Sequence, residues 1–546
     1  MEKIILIGGE AGQGIAKTSL LIGKALTRIG YYVFNYRDYP SLIQGGHNFN
    51  VIKISEKPVY SHENFYDVII ALDKKTIEKH KKNLRKDGFI LADLDLKPDI
   101  GINIKQILEK LNLPAIMGNN ILAGALFKIL GFPLAPLLES AEKEFEKNAE
   151  AVKNAIKEGY NAVEQRAELH QERTTRKAYF LTGNEAIGAG AIAAGLDLYI
   201  AYPMTPATPV LHFLASKQSE YNILVVQLEN EIACINAALG AGYAGAKAMV
   251  GTSGGGFALM TEAISLQGMT EIPLVVYLSQ RTGPSTGAPT YTGQSDLKFA
   301  VNAGHGEFPK IVVAPGDAKE AFYRTIEAFY LAHKYRTLSI IIGDKHLGES
   351  NYTFEKFETP KIRPERFIVD EEKEYRSYLI TETGVSPLMV PGQKQQVRVN
   401  SYEHNDYGFT TEDPEWIVKM NEKRLRKIKY IKKEIERLKP ISVYGKGKKL
   451  IIGWGSTKGA ILDALKGLDN FRFMQISYIM PFPSKEVKRE IDSSEKVILV
   501  ENNATGLLGQ IIAEQVGIFI ESKILKYDAR PFTSHEIIDK IKSEKI

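Results

Sequence analysis

Short apolar runs recur along this chain at the spacing of strands set between helices. In the first part they are Ile4–Ile7, Tyr32–Phe34, Val51–Ile54, Val68–Ala71 and Phe89–Ala92. A second series runs Leu198–Ala201, Leu224–Gln227, Ala248–Val250, Leu274–Leu278, Ile311–Ala314 and Leu338–Ile342, and a third runs Leu450–Gly453, Arg472–Ile476 and Val497–Val500. Strands that alternate with helical patterns predict the α/β class, with open, mostly parallel sheets covered on both faces. The pattern divides the chain into an α/β segment 1–165, a linker 166–177, a second α/β segment 178–350, a connecting region 351–440 and a third α/β segment 441–546. The charged stretch from Glu142 to Lys177 reads as a solvated helix running into the linker, and Pro414–Leu438 as a charged helix. The connecting region is too rich in aromatic and apolar residues for a flexible tether, so it is expected to wrap other segments or a partner.

Length and composition narrow the class without naming a chemistry. A chain of 546 residues, 44% hydrophobic and 25% charged, has the composition of folded globular domains. A net charge of +5 without a basic, aromatic-interleaved stripe does not suggest nucleic acid. No apolar run is long enough for a bilayer span or a signal-peptide core, so a cytoplasmic location is expected. Abundant Lys, Glu and Ile with scarce Cys is compatible with a thermophilic source. The single cysteine, Cys234, excludes an internal disulfide and any cysteine-ligated cluster built from this chain alone.

Candidate chemistry gathers at the ends of the second series of strands. Tyr202-Pro203-Met204-Thr205-Pro206 follows the run Leu198–Ala201, and two prolines stiffen the loop that carries the Thr205 hydroxyl. Gln227-Leu228-Glu229-Asn230-Glu231 closes the next strand and opens a helix of small residues that admits close approach by another body. Thr252-Ser253-Gly254-Gly255-Gly256-Phe257 is a strand, a glycine loop and a helix start. Arg281 ends a further strand beside the hydroxyl-rich loop Gly283–Thr290, where a guanidinium suits a carboxylate. Each motif alone has a structural reading: a rigid turn, ordinary helix-terminal charge or an ion pair. Thr205, Glu231 and Arg281 at one strand rim make a site.

The amino-terminal loop Gly8-Gly9-Glu10-Ala11-Gly12-Gln13-Gly14 sits between a strand and a helix starting near Ala16. It suits a nucleotide or coenzyme phosphate, but it lacks the lysine placement of a Walker A loop and the full dinucleotide fingerprint. A packing turn is the other reading. In Gln44-Gly45-Gly46-His47, the histidine reads first as a hydrogen-bonded structural residue.

Taken together these motifs resemble the alpha subunit of 2-oxoacid:ferredoxin oxidoreductases, in the form with a gamma-type domain fused ahead of alpha. Tyr202–Pro206, Glu229-Asn230-Glu231, Gly240–Gly245, Thr252–Phe257, Arg281–Gly287, Gln294-Ser295-Asp296-Leu297 and His305–Pro309 carry the resemblance. The amino-terminal glycine motifs, Ser386-Pro387, Pro391-Gly392, Glu403-His404-Asn405 and Glu501–Gly506 extend it over the whole chain. Met204 stands where the family usually has Ile, and Gly255 where it usually has Pro.

The resemblance implies three domains: gamma-type, thiamine-diphosphate pyrimidine-binding, and transketolase C-terminal-like. It implies oxidative decarboxylation of a 2-oxoacid with coenzyme A, giving acyl-CoA, carbon dioxide and reduced ferredoxin. Thiamine diphosphate is shared with a beta subunit, which brings Mg2+ and a [4Fe-4S] cluster; this chain holds no metal, and a dimer of alpha-beta heterodimers is expected. Glu231, with Glu229 in reserve, is implied as the partner of the pyrimidine N1′, favouring the imino tautomer that takes the thiazolium proton. Tyr202, Pro203, Thr252, Ser253 and Gly254 would line the cofactor. Arg281 and Thr205, with Ser285 and Thr286, would meet the substrate. A non-redox thiamine-dependent decarboxylase or transketolase-like subunit, and a nucleotide-binding regulatory subunit, are the alternatives.

Overall fold

The computed structural model describes residues 2–40, 46–167, 178–360, 362, 365–370 and 374–543. Of the expected linker 166–177, residues 168–177 lie outside them, as do Gln44 and Gly45. The strands are β1 (Glu2–Glu10), β2 (Tyr32–Asp38), β3 (His47–Ser55), β4 (Tyr66–Ala71), β5 (Leu84–Asp93), β6 (Ile100–Ile102) and β7 (Ala178–Thr182). They continue as β8 (Leu198–Ala201), β9 (Leu224–Gln227), β10 (Ala248–Thr252), β11 (Leu274–Gln280), β12 (Lys310–Val313), β13 (Leu338–Asp344) and β14 (Asn351–Glu355). The last are β15 (Ile441–Gly445), β16 (Lys449–Gly453), β17 (Phe471–Ile476), β18 (Tyr478–Met480), β19 (Lys496–Glu501) and β20 (Lys523–Leu525). Each of the apolar runs read from the sequence overlaps a strand.

Three sheets result, and the chain is of the α/β class. The first has the order β6-β5-β4-β1-β3-β2-β14-β7. Its β6-β5-β4-β1 side is parallel, and its other side is antiparallel from β1 outward. Direct return of β3 beside β2 needs no helical crossover, which is why an antiparallel half forms here. The second sheet, β18-β12-β13-β11-β10-β8-β9, is parallel except at β18. The third, β15-β17-β16-β19-β20, is parallel except at β15.

The described chain forms two compact units. One comprises Met1–Thr182, Glu349–Phe357 and Thr533–Ile538. The other comprises Gly183–Gly348, Glu358–Phe532 and Asp539–Ile546. Strands β7 and β14 thus belong with the first sheet, although in sequence they flank the second. Apolar periodicity identifies a strand but not its sheet. In the first unit the helix Ala149–Asn161 is amphipathic, with Val152, Ala155 and Ile156 buried, and so is not wholly solvated as its charge suggested. Gly159 makes this possible, because a side chain there would run into the Ile121 backbone.

In the second unit one continuous core joins the second and third sheets, with Leu278, Ile342, Trp454, Met474 and Leu508 among its members. Strand β18 adds to the edge of the second sheet beside β12. The connecting helix Pro414–Arg437 packs here too. Its Lys423 and Lys427 are buried and reach Glu271 at 2.7 and 2.5 Å. Burial alone would raise the Glu271 carboxyl, but Lys423, Lys427 and Arg336 hold it well below the usual range. Among the described residues no helix is long and apolar enough to cross a membrane.

Candidate functional site

Parallel strands β8, β9, β10 and β11 deliver the site residues at their carboxyl ends, where ligands lie in open α/β sheets. After β8 the loop Tyr202–Ala207 keeps Thr205 half-buried and Tyr202 exposed at the surface. After β11 comes Arg281, whose Nη1 donates to the Thr205 carbonyl oxygen at 2.8 Å. The two substrate-side residues expected from sequence are therefore in direct contact, through the threonine's main chain. Burial lowers the Arg281 guanidinium from its ordinary value, and Asp296 opposes that.

After β9 the helix Glu231–Tyr243 starts behind the Asn230 cap, whose side chain accepts from the Ala233 N–H at 2.9 Å. Glu231 is the first residue of that helix and is 3% exposed. Its Oε1 is buried without a hydrogen-bond partner. A carboxylate oxygen left so costs free energy unless a ligand donates to it. Glu229, two residues earlier, is exposed. After β10, Thr252 and Ser253 are fully buried, and the Ser253 hydroxyl also lacks a partner. Ser253 is the residue preceding the helix Gly254–Thr270 but caps it with no side-chain bond.

Gly256 holds these groups together. A side chain there would collide with Thr252 Oγ1 and the Glu231 carboxyl, so only glycine lets both pack this close. At Gly254 a Cβ would meet Asp296 Oδ2 at 2.6 Å. Asp296 belonged to the sequence resemblance but had been given no role. Burial pushes its carboxyl up to about 6 against the pull of Arg281. Its N–H donates to Gln280 Oε1 at 2.9 Å. Cys234 is buried, and its thiol is pushed up to about 11, largely by that burial, so it has no reactive character.

Ser285 and Thr286 do not join the cluster. Both are exposed on the loop after Arg281. Pro203 is half-buried beside Tyr202, and Gly254 half-buried at its helix start.

In the first unit the glycine loop leads into the helix Ile15–Ile29, one residue earlier than expected. Gly12 and Gly14 take φ of 94° and 78°, which glycine adopts without strain. Gly12 borders a cavity of about 310 Å³, with Gln13, Leu72, Asp93 and Asn119, at the carboxyl ends of β4 and β5. A second cavity, about 340 Å³, is lined by Gly12, Gly14, Lys17, Arg37, Asn48 and Asn50. His47 lies apart from both, its Nε2 2.7 Å from that of buried His80, in keeping with a structural role.

The chain is similar to known proteins along its length. Residues 189–423 match the family described as "Pyruvate flavodoxin/ferredoxin oxidoreductase, thiamine diP-bdg", and residues 4–162 match "Pyruvate ferredoxin/flavodoxin oxidoreductase". The 2-oxoacid:ferredoxin oxidoreductase subunit alpha of a Sulfolobus species is 32% identical over 97% of this chain and 95% of its own length. The 2-oxoglutarate synthase subunit KorA of Methanothermobacter thermautotrophicus is 32% identical over 62% of this chain and 89% of its own. The 2-oxoglutarate:ferredoxin oxidoreductase of Magnetococcus marinus, solved with 2-oxoglutarate, coenzyme A and succinyl-CoA bound, superposes with a TM-score of 0.90. It is 28% identical and matches 100% of this chain and 99% of its own.

Proposed function

This chain belongs to the 2-oxoacid:ferredoxin oxidoreductase alpha subunits, and we propose that it forms one wall of a thiamine-diphosphate site that a beta subunit completes. The reaction is coenzyme A-dependent oxidative decarboxylation of a 2-oxoacid to acyl-CoA and carbon dioxide, with ferredoxin reduced. The observation that carries the reading is the buried, unpartnered Glu231 Oε1, packed against Gly256.

Glu231, Thr252, Ser253 and Gly254 would hold thiamine diphosphate, which would supply the nucleophilic carbon for the decarboxylation. Glu231, shut off from water, would hydrogen-bond the pyrimidine N1′, and exposed Glu229 takes no part. Thr252, Ser253 and Gly254 border the cofactor, with the Ser253 hydroxyl free to reach it. Arg281 binds the substrate carboxylate, and its bond to the Thr205 carbonyl fixes the guanidinium plane. The Thr205 side chain orients the 2-oxo group and moves no proton.

In this reading Mg2+ and a [4Fe-4S] cluster belong to the beta subunit; the one cysteine of this chain cannot ligate a cluster by itself. Exposed Tyr202, Ile232, Leu259 and Phe299 near the site give that subunit an apolar landing face. In the first unit, Lys17, Arg37 and the Gly12–Gly14 backbone suit the phosphates of coenzyme A.

Mixing this chain with its beta subunit, thiamine diphosphate, Mg2+, coenzyme A and a 2-oxoacid should reduce ferredoxin or a low-potential dye. Absence of reduction across pyruvate, 2-oxoglutarate and branched or aromatic 2-oxoacids overturns the reading.

A further inference from the structure

The loop that follows Arg281 closes on itself and is fastened at its neck. Thr282 Oγ1 donates to the Thr292 oxygen at 2.8 Å, and the Ala288 N–H donates to the Thr282 oxygen at 3.0 Å. Residues 283–287, at the tip, are exposed, whereas Thr292, Gly293 and Gln294, at the neck, are buried. Gln294 is fully buried, and each of its main-chain and side-chain polar groups is bonded to the layer of the third sheet. Its N–H donates to the Asn502 oxygen at 2.8 Å, and its Oε1 accepts from the Asn502 N–H at 3.0 Å. Its Nε2 donates to the Trp454 oxygen at 3.0 Å, and its oxygen accepts from Asn503 Nδ2 at 3.2 Å. Gly455 leaves room for that amide, since a Cβ there would stand 2.8 Å from Gln294 Nε2.

The far side of this fastening is equally firm. Asn503 Nδ2 also donates to Glu501 Oε2 at 2.7 Å, and Trp454 Nε1 donates to the same oxygen at 3.1 Å. Glu501 is fully buried at the end of β19, and its Oε1 accepts from the Leu508 N–H at 2.9 Å. The near side leads to Arg281 by two routes. Through the neck, Thr292 holds Thr282, the residue after Arg281. Two residues beyond Gln294, the Asp296 N–H donates to Oε1 of buried Gln280, the residue before Arg281, at 2.9 Å. Gln280 Nε2 donates in turn to the Gly343 oxygen at 3.1 Å. Both chain neighbours of Arg281 are therefore tied to the segment that Gln294 anchors. Apolar packing alone joins two layers without fixing their register, whereas a buried amide with donor and acceptor both used fixes register and direction.

We propose that Gln294 is a positioning residue for the 2-oxoacid site, holding Arg281 in the orientation in which its guanidinium meets the substrate carboxylate. The inference rests on Arg281 as the carboxylate clamp. A guanidinium binds a carboxylate through two parallel N–H bonds only when its plane is set. The Thr205 carbonyl fixes one nitrogen, Nη1, and the Gln294 anchor fixes the backbone from which the side chain grows. Release of the anchor leaves the charge in place and loosens its aim. The carboxylate is then held less well in ground state and transition state alike, so KM rises and kcat changes little. Asn502 and Trp454 meet Gln294 only through main-chain groups, so the Gln294 amide is the part of this lock that a substitution removes.

The test compares Gln294→Met, Gln294→Glu and Arg281→Lys, alone and combined, in the complex with the beta subunit. The readouts are KM and kcat for the 2-oxoacid it turns over, and thiamine diphosphate affinity by fluorescence quenching. Gln294→Met keeps the length of the side chain and removes both amide bonds. It should raise KM about tenfold, leave kcat within about threefold, and leave cofactor affinity unchanged. Gln294→Glu keeps the acceptor for the Asn502 N–H and should raise KM about threefold, so it carries the test if the Met variant does not fold. Arg281→Lys with Gln294→Met should raise KM by less than the product of the two single effects, because the fork that Gln294 aims is already gone. A full product, or KM unchanged in both Gln294 variants, overturns the inference while the clamp stands. Loss of kcat and of cofactor affinity alongside the rise in KM would make the residue a general support of the fold and overturn it too. If Arg281→Lys alone leaves KM unmoved, the clamp fails and the inference with it.

Discussion

Arg281 hydrogen bonds to the main-chain carbonyl of Thr205, 2.8 Å from Nη1 to oxygen, and so couples the ends of β8 and β11 through a bond that no side-chain change at Thr205 removes. The threonine therefore has two separable parts. Thr205→Ala keeps the carbonyl and loses only the hydroxyl. It should leave the carboxylate clamp intact, with KM for the 2-oxoacid within about threefold, and lower kcat about tenfold or more through loss of the bond at the reacting centre. A rise in KM with kcat unchanged would assign the hydroxyl to binding alone.

Arg281→Lys replaces a planar fork with a point charge. KM for the 2-oxoacid should rise about tenfold or more while kcat falls less. Steady-state kinetics at saturating coenzyme A decide it. Equal loss of kcat with KM unmoved would count against a carboxylate clamp.

Gly256→Ala puts a methyl group where Thr252 Oγ1 and the Glu231 carboxyl already lie. Thiamine diphosphate binding should weaken by about a hundredfold or be lost, with the thermal midpoint also lowered. Gly255→Ala, where a Cβ meets nothing nearby, is the control and should bind normally. Calorimetric titration of the assembled complex separates the two, and equal affinities would show that the cradle is not the cofactor's.

Lys427 is buried, and burial, opposed by Glu271, brings it down to about 7. Between about pH 7 and 10 the unfolded chain therefore binds a proton that the folded chain does not. Stability from this residue rises with pH across that window and is lost as pH falls through it. Lys427→Met should flatten the curve of denaturant midpoint against pH between 7 and 10. A curve as steep as the wild type's would show that Lys427 keeps its charge in the fold.

Much of this was legible in the chain itself because parallel strands buried on both faces read as continuous apolar runs. Leu274–Leu278 and Leu338–Ile342 are such runs, and the polar residues that end them, Gln280 and Arg281 among them, mark the site's rim. Short edge strands such as β18 and β20, three residues each, carry too little pattern to be read. The assignment of Ala178–Thr182 and Asn351–Glu355 to the first sheet was hidden because pairing across 169 residues, as between Asn351 and Thr182, leaves no local trace. The resemblance put Glu231 ahead of Glu229, but two carboxylates two residues apart at one helix start are hard to tell apart by pattern. Burial separates them, and so does the orphaned oxygen on Glu231.

The claim on which the account turns is that Glu231, and not Glu229, faces the cofactor. The measurement is kcat of Glu231→Gln beside Glu229→Gln, each assembled with the beta subunit and saturated with thiamine diphosphate, coenzyme A and a 2-oxoacid. Gln keeps the shape at position 231 and removes the charge that favours the reactive pyrimidine form, so kcat should fall at least about a hundredfold. Glu229→Gln should stay within about twofold of wild type. Undiminished turnover in Glu231→Gln, or the large loss in Glu229→Gln instead, would contradict the account.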